Sequence, residues 1–138
     1  MTQEEEFQQY ASLMEYYKNQ LESLENQFSY LQAAISDYTK ASITIEKLGE
    51  TQNDTELLIP IGGGTFSFAK AVETNKILTE IGAGIVVEKK PDEAIEILTK
   101  RIDELKKSQD NISEVSQKIQ MQLQEVSEKA QKMYSGYQ

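Results

Sequence analysis

The chain has 138 residues, a mass of 15.7 kDa and a formal net charge of −9, from 14 basic and 23 acidic side chains. With no cysteine and no histidine, it lacks disulfides, thiolate nucleophiles, Cys-ligated zinc and the side chain that titrates nearest neutral pH. Its acidic balance is the reverse of a nucleic-acid-binding footprint, and no apolar run approaches the ~20 residues that span a bilayer.

Glycine is absent before Gly49 and proline before Pro60, and after Pro91 neither recurs until Gly136. Two segments permissive for helix therefore flank a short stretch dense in turn formers. The expected divisions are a helix over 1–49, two hairpins over 50–91 and a second helix over 92–138, together forming one domain. The opening MTQEEEFQQY is acidic and polar, unlike a signal or transit peptide, and the expected location is a reducing cytoplasm.

In the first segment Phe7, Tyr10, Met14, Tyr17, Leu21, Leu24, Phe28, Leu31, Ile35, Tyr38, Ser42 and Ile45 recur at alternating steps of three and four, and only Ser42 is polar. A mean step of ~3.5 residues keeps one seam against a partner helix. Some 40 helical residues reach about 60 Å, too long for a globular core helix.

The middle segment reads as two hairpins. Leu57-Leu58-Ile59-Pro60-Ile61 and Phe66-Ser67-Phe68 flank Gly62-Gly63-Gly64-Thr65. Ile77-Leu78-Thr79-Glu80-Ile81 and Ile85-Val86-Val87 flank Gly82-Ala83-Gly84. β-rich runs parted by glycines signal tight turns, and Pro60 belongs at an edge or bulge. Two hairpins bury too little to stand alone, and their apolar faces and bare edges invite pairing with other chains. Leu57, Leu58, Ile59, Ile61, Phe66, Phe68, Ile77, Leu78, Ile81, Ile85, Val86 and Val87 are the expected subunit interface.

The last segment opens with Pro91, Asp92 and Glu93, suited to a helix N-terminus. Its seam runs Ile95, Leu98, Ile102, Leu105, Gln109, Ile112, Ser116, Ile119, Leu123, Val126, Ala130, Met133 and Tyr137. The polar members Gln109 and Ser116, with Ser42, read as tolerated breaks that also help to fix register. The two stripes match in length, so the expected fold is α+β: a long antiparallel two-helix coiled coil with two β-hairpins inserted between the helices. The hairpins complete a sheet or barrel with partner subunits. Ile45 should lie near Ile95 and Leu98, and Phe7 near Met133 and Tyr137.

Rival chemical readings fare poorly. Gly62-Gly63-Gly64-Thr65 lacks the lysine and following helix of a phosphate-binding loop, and Gly82-Ala83-Gly84 lacks the third glycine of a dinucleotide site. Glu4-Glu5-Glu6 and Asp92-Glu93 read as solvated helix starts rather than metal ligands or acid–base pairs. No enzyme, metal or cofactor is expected. The two chain ends resist so bland a reading. Phe7, Tyr10, Leu13, Met14, Tyr16 and Tyr17 crowd the first 17 residues, and Val126, Met133, Tyr134 and Tyr137 face them. Either this is an ordinary coiled-coil end with amphipathic tyrosines, or these ten residues bind exposed apolar segments of other proteins, a task that suits Met and Tyr.

The stretch 57–94 resembles the alpha-type subunit of prefoldin. The resemblance is sharpest at Leu58-Ile59-Pro60-Ile61-Gly62-Gly63-Gly64, Phe68-Ala69-Lys70-Ala71 and Ile81-Gly82-Ala83-Gly84-Ile85-Val86-Val87-Glu88-Lys89. Two hairpins rather than one point to the alpha class, since beta-type subunits carry a single hairpin, and the resemblance implies a hexamer of two alpha-type and four beta-type subunits whose hairpins build a double β-barrel. It also implies coiled-coil tips that hold non-native proteins for a group II chaperonin without nucleotide hydrolysis, and no nucleic-acid or membrane partner. A tether binding one specific folded partner is the alternative function.

Overall fold

A computed structural model describes residues 2–136. Helix α1 spans Gln3–Gly49 and α2 spans Pro91–Gly136, with strands β1 (Glu56–Gly62), β2 (Thr65–Lys70), β3 (Ile77–Gly82) and β4 (Ile85–Lys89) between them. The expected fold class is therefore present: two long helices with two hairpins inserted.

Local chemistry sets the helix starts. The Glu5 N–H donates to Thr2 Oγ1 at 3.2 Å, and the Thr2 N–H donates back to the Glu5 carboxylate at 3.2 Å. This is a reciprocal capping box, so one carboxylate of the Glu4–Glu6 run closes the helix rather than merely facing solvent. Helix α2 opens on Pro91, whose missing N–H would find no intrahelical acceptor there in any case.

Strands β1 and β2 pair as one antiparallel two-stranded sheet, and β3 and β4 as another. In the first, Leu58 lies opposite Phe68 and Pro60 opposite Phe66, with a register shift between Pro60 and Gly62. Pro60 thus sits beside a bulge, where its missing N–H is tolerated. The turns are tighter than the glycine runs suggest. Gly63 and Gly64 adopt φ of 59° and 74°, and Ala83 and Gly84 adopt 50° and 76°. Positive φ at both central residues is the two-residue turn whose twist suits a hairpin. Ala83 takes a conformation that costs a Cβ-bearing residue about 1 kcal/mol.

The chain forms two compact units: residues up to Ala34 with those from Leu105 onward, and residues Ile35–Glu104. In the first unit Gln109 of α2 meets Phe28 and Gln32 of α1, while Ala130 and Tyr134 line one groove with Phe7 and Met14. The second unit is built around Ile45, Ala94 and Leu98, with Tyr38, Ala41, Ile77 and Ile95 packed against them. Within each unit the helices run antiparallel. Every position of the C-terminal seam from Ile95 to Met133 is buried or half-buried, and so is the N-terminal seam from Tyr10 to Ile45 except Phe28. Tyr137 lies outside the described residues.

The polar seam positions behave differently from one another. Gln109 is buried and its Nε2 donates to Gln32 Oε1 at 3.0 Å, a side-chain pair that favours one register over its neighbours. Ser42 Oγ is buried without a hydrogen-bond partner.

At the base of the first hairpin, the Asp54 N–H donates to the Ala71 carbonyl at 2.7 Å and the Ala71 N–H to the Thr55 carbonyl at 3.0 Å. Asn53 Oδ1 accepts from the backbone N–H of Thr74 at 3.1 Å, joining the loop before β1 to the loop before β3.

Candidate binding surfaces on the helix ends and the hairpins

Exposed apolar side chains gather on the helix ends and on the hairpins, while Tyr30, Ile43, Val115 and Met121 stand exposed singly along the helices. On the helix ends, the 3.6-residue repeat decides which side chains reach solvent. Tyr10, Met14 and Tyr17 follow the seam and are half-buried, whereas Leu13 and Tyr16 fall on the outer flank of α1 and are exposed, as is Phe7 where the seam begins. Tyr16 and Tyr17 are successive residues whose rings meet at 5.8 Å between centroids and 58° between planes, a tilted arrangement favourable for aromatic pairs.

From α2, Tyr134 is 63% exposed and Met133 is half-buried. Between the helix ends lies an open groove of about 710 Å³, lined by Phe7, Ala11, Met14 and Lys18 on one side and by Ala130, Gln131 and Tyr134 on the other. A second depression, on α1 alone, runs past Gln9, Leu13 and Tyr16.

Val126 is not part of this exposed surface. At 8% exposed it is packed between the helices, because its position continues the seam rather than leaving it. The exposed contributors are Phe7, Leu13, Tyr16 and Tyr134, with Tyr10, Met14, Tyr17 and Met133 contributing edges. Ala11 and Gln131, which line the groove with the seam residue Ala130, carry no signal in sequence because small and polar residues gain their role only from the facing helix.

The hairpins form the second surface. On the first, the ladder puts Leu58, Pro60, Phe66 and Phe68 on one face. Phe68 is 81% exposed, Leu58, Phe66 and Ile61 are exposed, Ile59 on the other face is exposed as well, and Leu57 is half-buried. The second hairpin is two-sided in a different sense. Ile77, Thr79 and Val87 turn inward, with Thr79 buried and the other two half-buried, while Leu78 at 71% and Val86 face outward. Ile81 and Ile85 are exposed beside the turn.

Among the described residues, no group of three His, Cys, Asp or Glu is placed to hold a metal ion, and no helix is long and apolar enough to cross a membrane.

Two long helices with two β-hairpins inserted between them, each hairpin exposing apolar side chains, define a coiled-coil protein of the hairpin-bearing class. The family model for prefoldin subunits matches residues 17–136, and the chain belongs to the prefoldin family. A prefoldin subunit alpha from Methanocorpusculum labreanum is 34% identical over 134 residues, covering 95% of this chain and 91% of that protein. Another from Methanococcoides burtonii is 42% identical over 86 residues; that match spans 62% of this chain and 62% of the relative, less than two thirds of its length.

Two solved structures share the fold. A filamentous PFD from Methanocaldococcus jannaschii matches with a TM-score of 0.75 at 18% identity, over 86% of this chain and 98% of that one. The prefoldin beta subunit from Thermococcus strain KS-1 matches with a TM-score of 0.60 at 16% identity, over 92% and 90%.

Proposed function

We propose that this chain is the alpha-type subunit of an ATP-independent holdase, which assembles through its hairpins with beta-type subunits and grips non-native proteins with its helix ends. The observation that carries the reading is the exposure of Phe7, Leu13, Tyr16 and Tyr134 together at the helix ends, where the seam from Tyr10 onward is closed except at Phe28. A coiled coil needs only a narrow apolar seam to close. Aromatic and aliphatic side chains kept outside it cost solubility unless they meet something apolar.

Contact with an exposed apolar segment of a client releases roughly 25 cal/mol per Å² of apolar surface buried. One helix-end pair offers few such contacts, so it binds weakly and lets go readily. Several pairs on one body raise the effective concentration of each for the same client, giving avidity by a factor of about 10² or more without any single tight contact. Weak, multiple and reversible holding needs no nucleotide, and it suits transfer of the client to a group II chaperonin. The acidic backs of the helices repel one another and keep unoccupied arms soluble. A hexamer with two alpha-type and four beta-type chains, its β-barrels built from the hairpins, would cover the apolar faces of β1–β4.

The test is removal of residues 1–17 and 124–138 followed by a light-scattering assay of client aggregation. The trimmed chain is expected to assemble with its partner at unchanged stoichiometry while losing protection of unrelated unfolded clients. Protection equal to that of the full chain would remove the helix ends from the function. Capture of one folded protein without any suppression of aggregation would make the chain a tether.

A further inference from the structure

Arg101 is the sole arginine in a chain whose thirteen other basic side chains are all lysine. It is half-buried on α2, one turn after Leu98 of the second unit's core. Its guanidinium carbon lies 5.9 Å from the centroid of the Tyr38 ring on α1, and its Nη2 donates to the main-chain carbonyl of Glu80 in β3. A single side chain thus springs from one helix, stacks on the other and bonds to a strand.

Lysine is a poor substitute in such a place. Its ammonium is a compact, strongly hydrated charge, whereas a guanidinium presents a flat face to an aromatic ring and edge donors to a carbonyl at the same time.

The acceptor sits at a mechanically important point. The β3–β4 ladder shifts register between Glu80 and Gly82, and the Glu80 carboxylate accepts from the Gly84 N–H of the turn at 3.2 Å. Glu80 therefore ties its own turn with the side chain and the helix pair with the backbone. On the inner face of this strand Ile77 packs on the Ile45–Ala94–Leu98 cluster and Thr79 is buried. On the outer face Leu78 and Val86 stand exposed.

We propose that Arg101 is a positioning residue for assembly: by stacking on Tyr38 and bonding to Glu80 it locks the second hairpin at one attitude on the helix pair. The Leu78–Val86 face is then presented to a partner subunit's strands in a fixed direction. The proposal rests on the reading of the hairpins as the assembly surface. It adds that the hairpin is oriented before the partner arrives, so that association does not bear the entropy of ordering it.

The absence of native cysteine allows a direct measurement on the full-length chain. Spin labels at Lys40→Cys on α1 and Glu88→Cys on β4, both exposed positions, report the helix–hairpin distance distribution by dipolar EPR. The unsubstituted background should give a narrow distribution. Arg101→Ala, Arg101→Lys and Tyr38→Leu should each broaden it, while Tyr38→Phe, which keeps the ring, should leave it narrow with helix content unchanged in all four. Loss of the stacked and hydrogen-bonded guanidinium should slow association with a beta-type subunit about tenfold, with client protection per assembled complex unaltered.

An Arg101→Ala distribution as narrow as the parent's, or an Arg101→Lys variant indistinguishable from the parent in both distance and association, would overturn the lock. Broadening in a chain whose parent never associates with any partner would leave the lock standing and defeat the assembly reading instead.

Discussion

The helix seam and the first hairpin draw on the same apolar residue types and put them to opposite ends. Leu98 is 7% exposed in the base of the helix pair, whereas Leu58 and Phe68 stand in solvent on a strand pair with both faces open. The seam is satisfied within one molecule, because a second helix with a matching repeat lies on the same chain. Two strands cannot bury a face of their own, so their apolar side chains stay exposed in the single chain, and on the proposed function they are the surface for another chain. Self-sufficiency in one region and incompleteness in the other is what distinguishes an assembly subunit from a stable coiled-coil monomer.

The largest test of that contrast sets Leu98→Ala against Phe68→Asp. The first removes a buried side chain from the Ile45–Ala94–Leu98 cluster and should lower the stability of the free chain by about 3 kcal/mol in a denaturation titration. The second should leave the free chain within about 0.5 kcal/mol of the parent, yet abolish association with a partner subunit in size-exclusion chromatography. Equal effects of both on the free chain would mean that the hairpin has a core of its own.

A smaller effect sharpens the account of the seam. Gln109→Leu removes the polar pair with Gln32 and adds apolar volume to the interior. Thermal stability should change by no more than about 1 kcal/mol, while cross-links between cysteines placed at neighbouring registers of α1 and α2 should appear in more than one pairing. Retention of a single pairing would assign register wholly to the apolar residues.

The smallest concerns the turns. Gly63-Gly64 meets the positive-φ requirement without strain, but Ala83 does not, so Ala83→Gly should stabilise the second hairpin by about 0.5–1 kcal/mol. Hydrogen exchange of the β3–β4 amides would register it as slower exchange.

Most of the architecture is legible in the residues because it is periodic or local. The 3.5-residue stripe places Ile45 against Leu98 and puts Gln109 inside; glycine pairs place the turns; Pro60 marks its own bulge. Where the residues mislead, the deciding contact comes from elsewhere in the chain. Val126 falls both on the seam repeat and in the expected client-binding set, and only its burial against the facing helix takes it out of the exposed surface. Ala83 lies in the expected turn, but the residues credit the positive φ to its glycines, and only the strand register puts Ala83 at a central position with φ of 50°. The inward turn of the second hairpin depends on where β3 lies against Leu98 and Arg101. Nothing in the alternation of Ile77, Thr79 and Ile81 says which face meets a helix. Thr2 and Glu5 show the converse case, a local signature of Ser/Thr followed three residues later by Glu that lies hidden inside an acidic run.

Native mass measurement tests the central claim most directly. Mixed with a single-hairpin beta-type subunit, the chain should vanish as a 15.7 kDa species and appear in one complex holding two copies of it and four of the partner. A chain that stays a stable, fully folded monomer in the presence of that partner would contradict the account at its root.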